Sequence, residues 1–427
     1  MNAQDNDLLT RVGPGTPMGS LLRCYWLPVM ESTELGPPDG PPQRVRLLGE
    51  RLVAFRDTSG RPGLVAESCP HRGASLFFGR NEEGGLRCVY HGWKFGADGD
   101  CLDLPTEPAD SRLRRGVRQA AYRCVERQGI LWAYLGSRAE PPALPALGWS
   151  LVPPSQRGAL KYRRDCNWLQ ALEGDIDTAH LGWLHARFAP GGGREVAFGA
   201  HDSLRDIAAR DTRPVLEVVD TAAGVVIGAR RAHEDSQHYW RITQFLMPIF
   251  TSVPAIGPQN RAKAWVPLDD WHTLVWEPHW HPTEALGEED RRGWKGRVPA
   301  SGMLPDDGSG VGRGRFAANR ENDYLIDRER QRSGNFSGIE ESPPLQDGAI
   351  QESMGAIVDR AREHLGASDE GILRVRRRLL EAALRLRDCG EEPPGLRDPD
   401  AYARRGCQLL LPHGADWLEA SREAQRS

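Results

Sequence analysis

Between residues 69 and 91 the chain carries Cys69-Pro70-His71 and Cys88-Val89-Tyr90-His91, a C-x-H and a C-x-x-H pair separated by 16 residues. With 8 Cys and 12 His in 427 positions, chance supplies about 0.2 pairs of either spacing, so one of each in so short a window is not an accident of composition. Each pair ends a short apolar run and is followed by a glycine, Gly73 or Gly92, where a tight turn can offer backbone N–H groups to a bound ion or cluster. The surrounding sequence, from about Trp26 to Gly136, breaks into short strand-like runs (RVRLLGERLVAFRD, GLVAESC, LRCVYHGWKF, GILWAYLG) separated by Gly, Asp and Pro. That pattern predicts a small antiparallel β domain.

Two kinds of metal centre use two Cys and two His. Zinc takes all four in one tetrahedral shell; a Rieske [2Fe–2S] centre takes the two Cys on one iron and the two His on the other. Zinc fingers usually pair Cys with Cys and His with His. Here each half is mixed, one on each of two hairpin loops, which gives each iron one ligand from each loop. The spacing favours the Rieske arrangement, with zinc as the alternative.

A second constellation runs from Asn167 to His185, NWLQALEGDIDTAHLGWLH. Trp168, Leu172, Ile176, Ala179 and Trp183 form an apolar stripe at helical spacing, and Gln170, Glu173, Asp177 and His180 recur on another side. His185 follows His180 by five positions, so an ideal helix sets them roughly 140° apart. For both imidazoles to meet one ion, the helix must loosen or end near Gly182. Two imidazoles with a nearby carboxylate suit a divalent first-row metal, iron above all when open positions remain. Taken alone, the stretch reads equally well as a surface helix with a polar face.

Composition excludes some classes. The net charge is −4, from 55 basic and 59 acidic residues, which points to neither nucleic acid nor a membrane surface as partner. No apolar run approaches a membrane span, and the N-terminus lacks the pattern of a secretory signal; the compartment expected is the cytoplasm. The eight cysteines are too scattered for a disulfide scaffold.

With Arg72-Gly73 and Gly92-Trp93-Lys94-Phe95 flanking the Cys/His pairs, and Glu173, Asp177, His180 and His185 in order, the chain resembles the large subunits of Rieske non-heme iron ring-hydroxylating oxygenases. The similarity is to the phthalate dioxygenase and phenoxybenzoate dioxygenase branch. The stretches LLTRVGPGTPMGSLLRCYWLPV, AWVPLDD and NDYLIDRERQRSGNFSGIEESPPLQDGAIQESMGAIVDRAREHLG carry it along nearly the whole chain. The resemblance implies an α+β fold. A helical lead-in (1–25) packs on the catalytic domain, an all-β Rieske domain occupies 26–150, and a catalytic domain with a helix-flanked antiparallel sheet, helix-grip-like, occupies 151–427. It implies a Rieske cluster on Cys69, His71, Cys88 and His91, and a mononuclear Fe(II) on His180, His185 and a later carboxylate. Asp347 is the choice for that carboxylate and Glu352 the runner-up. The resemblance also implies that Asp177 bridges to His71 or His91 of a neighbouring subunit in a homotrimer. Glu173 is expected beside Asp177 in the catalytic set or, with Gln170, in a buried polar network nearer the helix start, and Trp93 over the cluster.

The implied reaction uses O2 and NAD(P)H-derived electrons to dihydroxylate or monooxygenate an aromatic, including by O-demethylation. No Gly-rich dinucleotide motif appears, so the electrons come from a separate reductase, which in the resembling enzymes carries flavin and a plant-type [2Fe–2S] centre. The substrate expected is a carboxylated or phenolic aromatic. Arg241 alternates with Thr243, Phe245 and Met247 on one strand face and is the candidate carboxylate partner, with Arg213 and Arg230 behind it. Histidines 201, 233, 238, 272, 279, 281, 364 and 413 have no spacing argument. Residues 283–315 read as a polar, Gly-rich loop, favoured as a solvent-exposed insertion over an active-site lid. Residues 347–364 and 368–388 read as helices. Two rival readings are a Rieske electron carrier without oxygenase activity and a zinc-stabilised binding protein.

Overall fold

The computed structural model describes residues 1–108, 110–189, 193–196, 203–234, 236–255 and 259–426. The expected strands near the start form a six-stranded antiparallel sheet in the order Trp26–Glu31, Ile130–Tyr134, Ala121–Arg127, Pro62–Ala66, Glu50–Arg56 and Gln43–Leu47. A four-stranded sheet, Arg80–Glu82, Gly85–Arg87, Lys94–Phe95 and Cys101–Asp103, sits beside it. Between them lies a small apolar core of Val53, Phe55, Val65, Leu76, Leu86 and Phe95, which also encloses Cys69, Cys88 and Trp93. Alternation along each strand sends these side chains inward and the charged ones out.

The second sheet is nine-stranded and antiparallel. Its main path is Arg157–Arg164, Thr273–Trp280, Lys263–Pro267, Phe250–Ser252, Gln237–Leu246, Gly224–His233 and Val215–Asp220; Asn260–Arg261 and Cys407–Pro412 pair off it. The helix Trp168–Ile176 lies against the middle strands, with Pro343–Ser353 and Glu370–Cys389 beside it. Its residues Trp168, Leu169, Ala171 and Leu172 are fully buried; each leucine contributes roughly 1.5–3 kcal/mol by leaving water. The N-terminal helices Ala3–Thr10 and Pro17–Arg23 pack on Glu370–Cys389. Arg360 Nη1 donates to Asn6 Oδ1 at 2.9 Å.

One hairpin tip of the six-stranded sheet docks on the nine-stranded sheet. Leu48 and Gly49 both adopt positive φ, +47° and +80°, as a two-residue hairpin turn demands. Their N–H groups donate to the carbonyls of Pro267 and Leu268 at 3.0 and 2.8 Å. Leu48 is fully buried by this docking, and a single apolar core runs from Leu47 and Trp132 through to Trp168 and Trp276.

Four expectations about elements need correction. The stretch 167–185 is not one helix loosening near Gly182. The helix ends at Ile176, Asp177 turns extended (φ −70°, ψ 124°), and a short 3₁₀ turn, His180–Gly182, follows. The Asp177 carboxylate causes the break by accepting the Ala179 N–H at 2.7 Å. The strand expected to carry Arg241, Thr243, Phe245 and Met247 ends at Leu246, and a second, Phe250–Ser252, follows it, the two parted at Pro248, which has no N–H to continue a ladder. The helix expected over 347–364 is Pro343–Ser353, started by the Ser342 cap and stopped before Gly355 at φ +93°. Residues 283–315 are not structureless; they contain the helix Glu288–Lys295 and close with a bridge between Met303 and Phe316.

Candidate metal centres

The two Cys/His loops share one backbone design. Cys69 N–H donates to the Ala74 carbonyl at 2.8 Å, and Gly73 N–H returns to Cys69 at 2.9 Å. Cys88 and Trp93, then Gly92 and Cys88, repeat the pattern at 2.8 and 2.9 Å. In each loop the fifth residue is a glycine at positive φ, +78° at Gly73 and +76° at Gly92, a conformation that costs other residues energy. At Gly92 a side chain would also strike Pro105, 2.7 Å from where its Cβ would sit.

The loops bring the four side chains together. The His71 and His91 rings lie 4.5 Å apart between centroids, and Cys69 and Cys88 are both buried and unpaired. Burial pushes the Cys69 thiol up to about 11, and the adjacent Cys88 adds to this; such thiols ionise only when a metal takes the proton's place. His71 Nδ1 is buried without a hydrogen-bond partner, a cost that a bound group removes. These residues fit a [2Fe–2S] cluster: buried sulfurs inside, imidazoles at the rim. Trp93 stacks on His71 at 4.2 Å and 10° and anchors its Nε1 on Thr106 Oγ1 at 3.1 Å, so it both covers the site and orients a ligand ring. Val89 and Tyr90, between the ligands, are 58% and 56% exposed.

In the second sheet's domain, His180, His185 and Asp347 meet: one ligand atom from each lies within 4.8 Å of the others. His185 Nε2 is 3.0 Å and His180 Nε2 3.8 Å from Asp347 Oδ1, and the two rings are 5.1 Å apart. Ligand atoms about 2.1 Å from a first-row ion and at right angles stand about 3.0 Å apart, so the donor set fits one ion. Burial works against the charge of Asp347, but His185, His180 and Lys263 outweigh it and hold the carboxyl far below the usual carboxylate range. Glu352, the runner-up ligand, is committed elsewhere: its oxygens accept Asp165 N–H at 3.1 Å and Tyr324 O–H at 2.7 Å.

Asp177 Oδ2 is 3.3 Å from His180 Nδ1 and the carboxylate is partly exposed. Burial acts to raise its pKa, yet the His180 ring beside it prevails and lowers it. Of the two places expected for Glu173, the contacts show the buried polar network. Its carboxylate takes Arg376 Nε at 2.7 Å, Arg376 Nη2 at 2.9 Å and Arg360 Nη2 at 2.9 Å, all buried. The two guanidinium groups tie the helix Trp168–Ile176 to Arg360 and to the helix Glu370–Cys389. Gln170 does similar work, donating to the Gln351 and Gly355 carbonyls at 2.9 Å each. Asn167 caps its own helix through Leu169 N–H at 3.1 Å and donates to Thr10 and Asp270.

The sheet supplies a basic wall. Phe245 pairs with Thr251 across strands, so Arg241, Thr243 and Phe245 share the face of Thr251, which bonds to Asp175 of the helix Trp168–Ile176. Arg241 is 6% exposed, has no hydrogen-bond or ion-pair partner among the described residues, and leaves Nε buried and unmatched. Its charge is near enough to oppose protonation of His180. Arg230 instead lies 3.5 Å from His238, and Arg213 is exposed. His279 is buried and stacked on Trp294 at 4.0 Å, His281 caps Glu284 N–H at 2.9 Å, and His201 lies outside the described residues. Sequence reading passed over Gln346, whose Oε1 is 2.7 Å from His185 Nδ1, and Lys263, which pairs with Asp175 at 2.5 Å. Neither carries a motif of its own; only its contact marks it.

Comparison with known proteins agrees with both centres. The model of the Rieske [2Fe-2S] domain matches residues 25–122, and that of the LigXa C-terminal domain like family matches 133–426. The chain is 40% identical to the 3-chlorobenzoate-3,4-dioxygenase oxygenase subunit of Comamonas testosteroni, over 98% of this chain and 97% of the relative. It is 37% identical to the phthalate 4,5-dioxygenase oxygenase subunit of Pseudomonas putida, over 98% and 94%. The fold is that of dicamba monooxygenase crystallised with dicamba: TM-score 0.58 at 17% identity, covering 86% of this chain and 99% of that one. No helix among the described residues is long and apolar enough to cross a membrane. The chain therefore belongs to the Rieske non-heme iron oxygenases, as an oxygenase subunit with a Rieske [2Fe–2S] cluster and a mononuclear iron.

Proposed function

We propose that this chain is the terminal oxygenase component that dihydroxylates an aromatic carboxylate. Cys69, His71, Cys88 and His91 hold the cluster, and His180, His185 and Asp347 hold the iron. Residues 1–25 serve as the lead-in, 26–150 as the Rieske domain and 151–427 as the catalytic domain. The observation that carries the substrate class is Arg241, a buried arginine whose Nε has no partner, on the sheet face turned to the helix Trp168–Ile176. A buried cation needs an anion, and a carboxylate satisfies it with two parallel hydrogen bonds. The two relatives matched over nearly their full lengths are named for aromatic acids and for dioxygenation, which favours dihydroxylation over O-demethylation.

Bound iron supplies the activation of O2, and the cluster supplies electrons one at a time. The chain's own residues do the rest. Arg241 fixes one end of the substrate, which sets the ring position presented to the His180/His185/Asp347 site. Asp177 holds His180 by its Nδ1 edge. The same carboxylate faces outward beside Ile350 and Met354, 42% and 49% exposed, and Leu365 at 40%. The exposed apolar pair Val89 and Tyr90 at the cluster tip matches that rim in character. These two surfaces support a head-to-tail homotrimer in which His71 or His91 of one copy meets Asp177 of the next. A reductase with flavin and a plant-type [2Fe–2S] centre delivers electrons from NAD(P)H, and the compartment proposed is the cytoplasm, where that donor is made.

The test supplies purified protein with a surrogate reductase, NADH and ¹⁸O2 and measures product mass on a panel of aromatic acids and methoxylated aromatics. Two labelled oxygens in the product of an aromatic acid support the reading. Loss of a methyl group with release of formaldehyde, and no doubly labelled product, rejects dihydroxylation in favour of O-demethylation.

A further inference from the structure

Gln346 precedes Asp347 on the helix Pro343–Ser353 and is fully buried. Its Nε2 donates to the Ile339 carbonyl at 3.2 Å and to Ser337 Oγ at 3.1 Å, while its Oε1 faces His185 Nδ1 at 2.7 Å. A backbone carbonyl only accepts, so the amide nitrogen has to be the end that faces Ile339; flipping it would set oxygen against oxygen. The end that faces His185 is then an oxygen, which also only accepts. His185 Nδ1 must carry the proton, and Nε2, 3.0 Å from Asp347 Oδ1, keeps its lone pair. The turn that dictates this is itself fixed. Asn335, fully buried, donates to the same Ile339 carbonyl at 2.7 Å and accepts Gly338 N–H at 2.7 Å.

We infer that Gln346 is a positioning residue: it fixes the Nδ1–H tautomer and the ring plane of His185, so that Nε2 is delivered to the iron as a neutral ligand. The inference rests on the proposal that His185 is an iron ligand. It also distinguishes the two imidazoles. His180 Nδ1 lies 3.3 Å from a carboxylate, Asp177, whereas His185 Nδ1 meets an amide that carries no charge. The anionic support thus lies on the outward side of the site, and the buried side is neutral.

The test uses full-length protein that retains its Rieske cluster but is stripped of mononuclear iron. Fe(II) affinity is measured by competition with a chromophoric chelator, and Co(II) is added separately because its d–d spectrum reports the ligand set. Gln346→Met keeps the side-chain volume and removes the acceptor; affinity falls about 10–100-fold and the Co(II) spectrum changes, while cluster absorbance does not. Gln346→Glu, as the protonated acid whose O–H replaces the amide donor to the Ile339 carbonyl, restores an acceptor at Nδ1 and brings affinity back to within a few-fold of the parent. Unchanged affinity and spectrum in Gln346→Met overturns the inference. So does equal loss in both variants, which marks Gln346 as packing alone. If Gln346→Met does not fold, the Glu variant decides: parent-like affinity supports the inference, and lost affinity or failure to fold overturns it. His185→Ala is the control for the underlying reading. If it binds Fe(II) as the parent does, the ligand assignment itself is wrong, an outcome distinct from failure of the role given to Gln346.

Discussion

Asp177 Oδ2 and His180 Nδ1 lie 3.3 Å apart, and the far nitrogen of the same ring lies 3.8 Å from Asp347 Oδ1. One imidazole thus spans from a partly exposed carboxylate to the buried carboxylate of the metal site. Asp177→Asn keeps the turn, because the amide oxygen can still accept Ala179 N–H, but it removes the charge. Both metals are expected to remain, and reoxidation of the reduced cluster in the presence of substrate and O2 to slow about 10-fold or more. Stopped-flow absorbance of the cluster, with iron content as control, measures it. Undiminished reoxidation would remove the bridging role.

His180→Ala removes one of the ligands that meet Asp347 and leaves the Cys/His loops untouched, since the two centres are built on different sheets. The cluster's visible spectrum should survive, the iron content should fall from three to two per chain by the proposed stoichiometry of one cluster and one ion, and turnover should vanish. Residual turnover at parental rate would mean that the iron sits elsewhere.

Arg241→Met tests the carboxylate partner. A hydrogen bond to a charged group contributes about 1.5–3 kcal/mol, so KM for an aromatic acid should rise roughly 10–100-fold while the corresponding uncharged amide is affected far less. Steady-state kinetics on an acid and amide pair give the comparison; equal effects on both would show that Arg241 does not meet the carboxylate.

Glu173 carries a stability prediction with a pH signature. Burial acts to raise its carboxyl, and Arg360 and Arg376 more than offset this, leaving it below its ordinary 4.5. A group with a depressed folded-state pKa stabilises fully above its unfolded-state value and loses that contribution as pH falls through the folded one. Glu173→Gln leaves two buried guanidinium groups short of a counter-charge and should cost about 3–5 kcal/mol at pH 7. The gap between variant and parent should narrow as the pH drops from about 4.5 toward the lower folded-state value, because in that window the parent's unfolded chain takes up a proton that its folded state does not. Urea unfolding at a series of pH values checks both statements; a pH-independent gap would sever the link to the carboxyl's ionisation.

The local part of this protein was legible before any fold was seen. Cys69, His71, Cys88 and His91 are bound by spacing: each pair sits in one loop, and the glycine that makes each loop turn is written two residues or one residue after the histidine. Alternation gave the strands that carry them, whereas the helix that bears Asp347 was read as beginning at 347 and in fact starts at the Ser342-Pro343 cap. The break after Ile176 was less legible, because periodicity carries on through a point where one side-chain hydrogen bond, Asp177 to Ala179 N–H, ends the helix.

What only the tertiary structure decided lies in contacts between residues far apart in the chain. Asp347 and Glu352 are carboxylates five positions apart on or beside one helix, with nothing in either residue to choose between them. Packing turned one toward His185 and the other toward Tyr324. Glu173 sat on the polar face with Asp177, and the arrival of Arg360 and Arg376 made it a tie between helices. Gln346 acquired its role only when the turn Asn335–Ile339 closed beneath it. The physical reason is the same in each case. Ligand spacing and strand pattern are short-range properties of the chain, whereas the partner of a buried polar group is whichever complementary group the fold brings within about 3 Å of it.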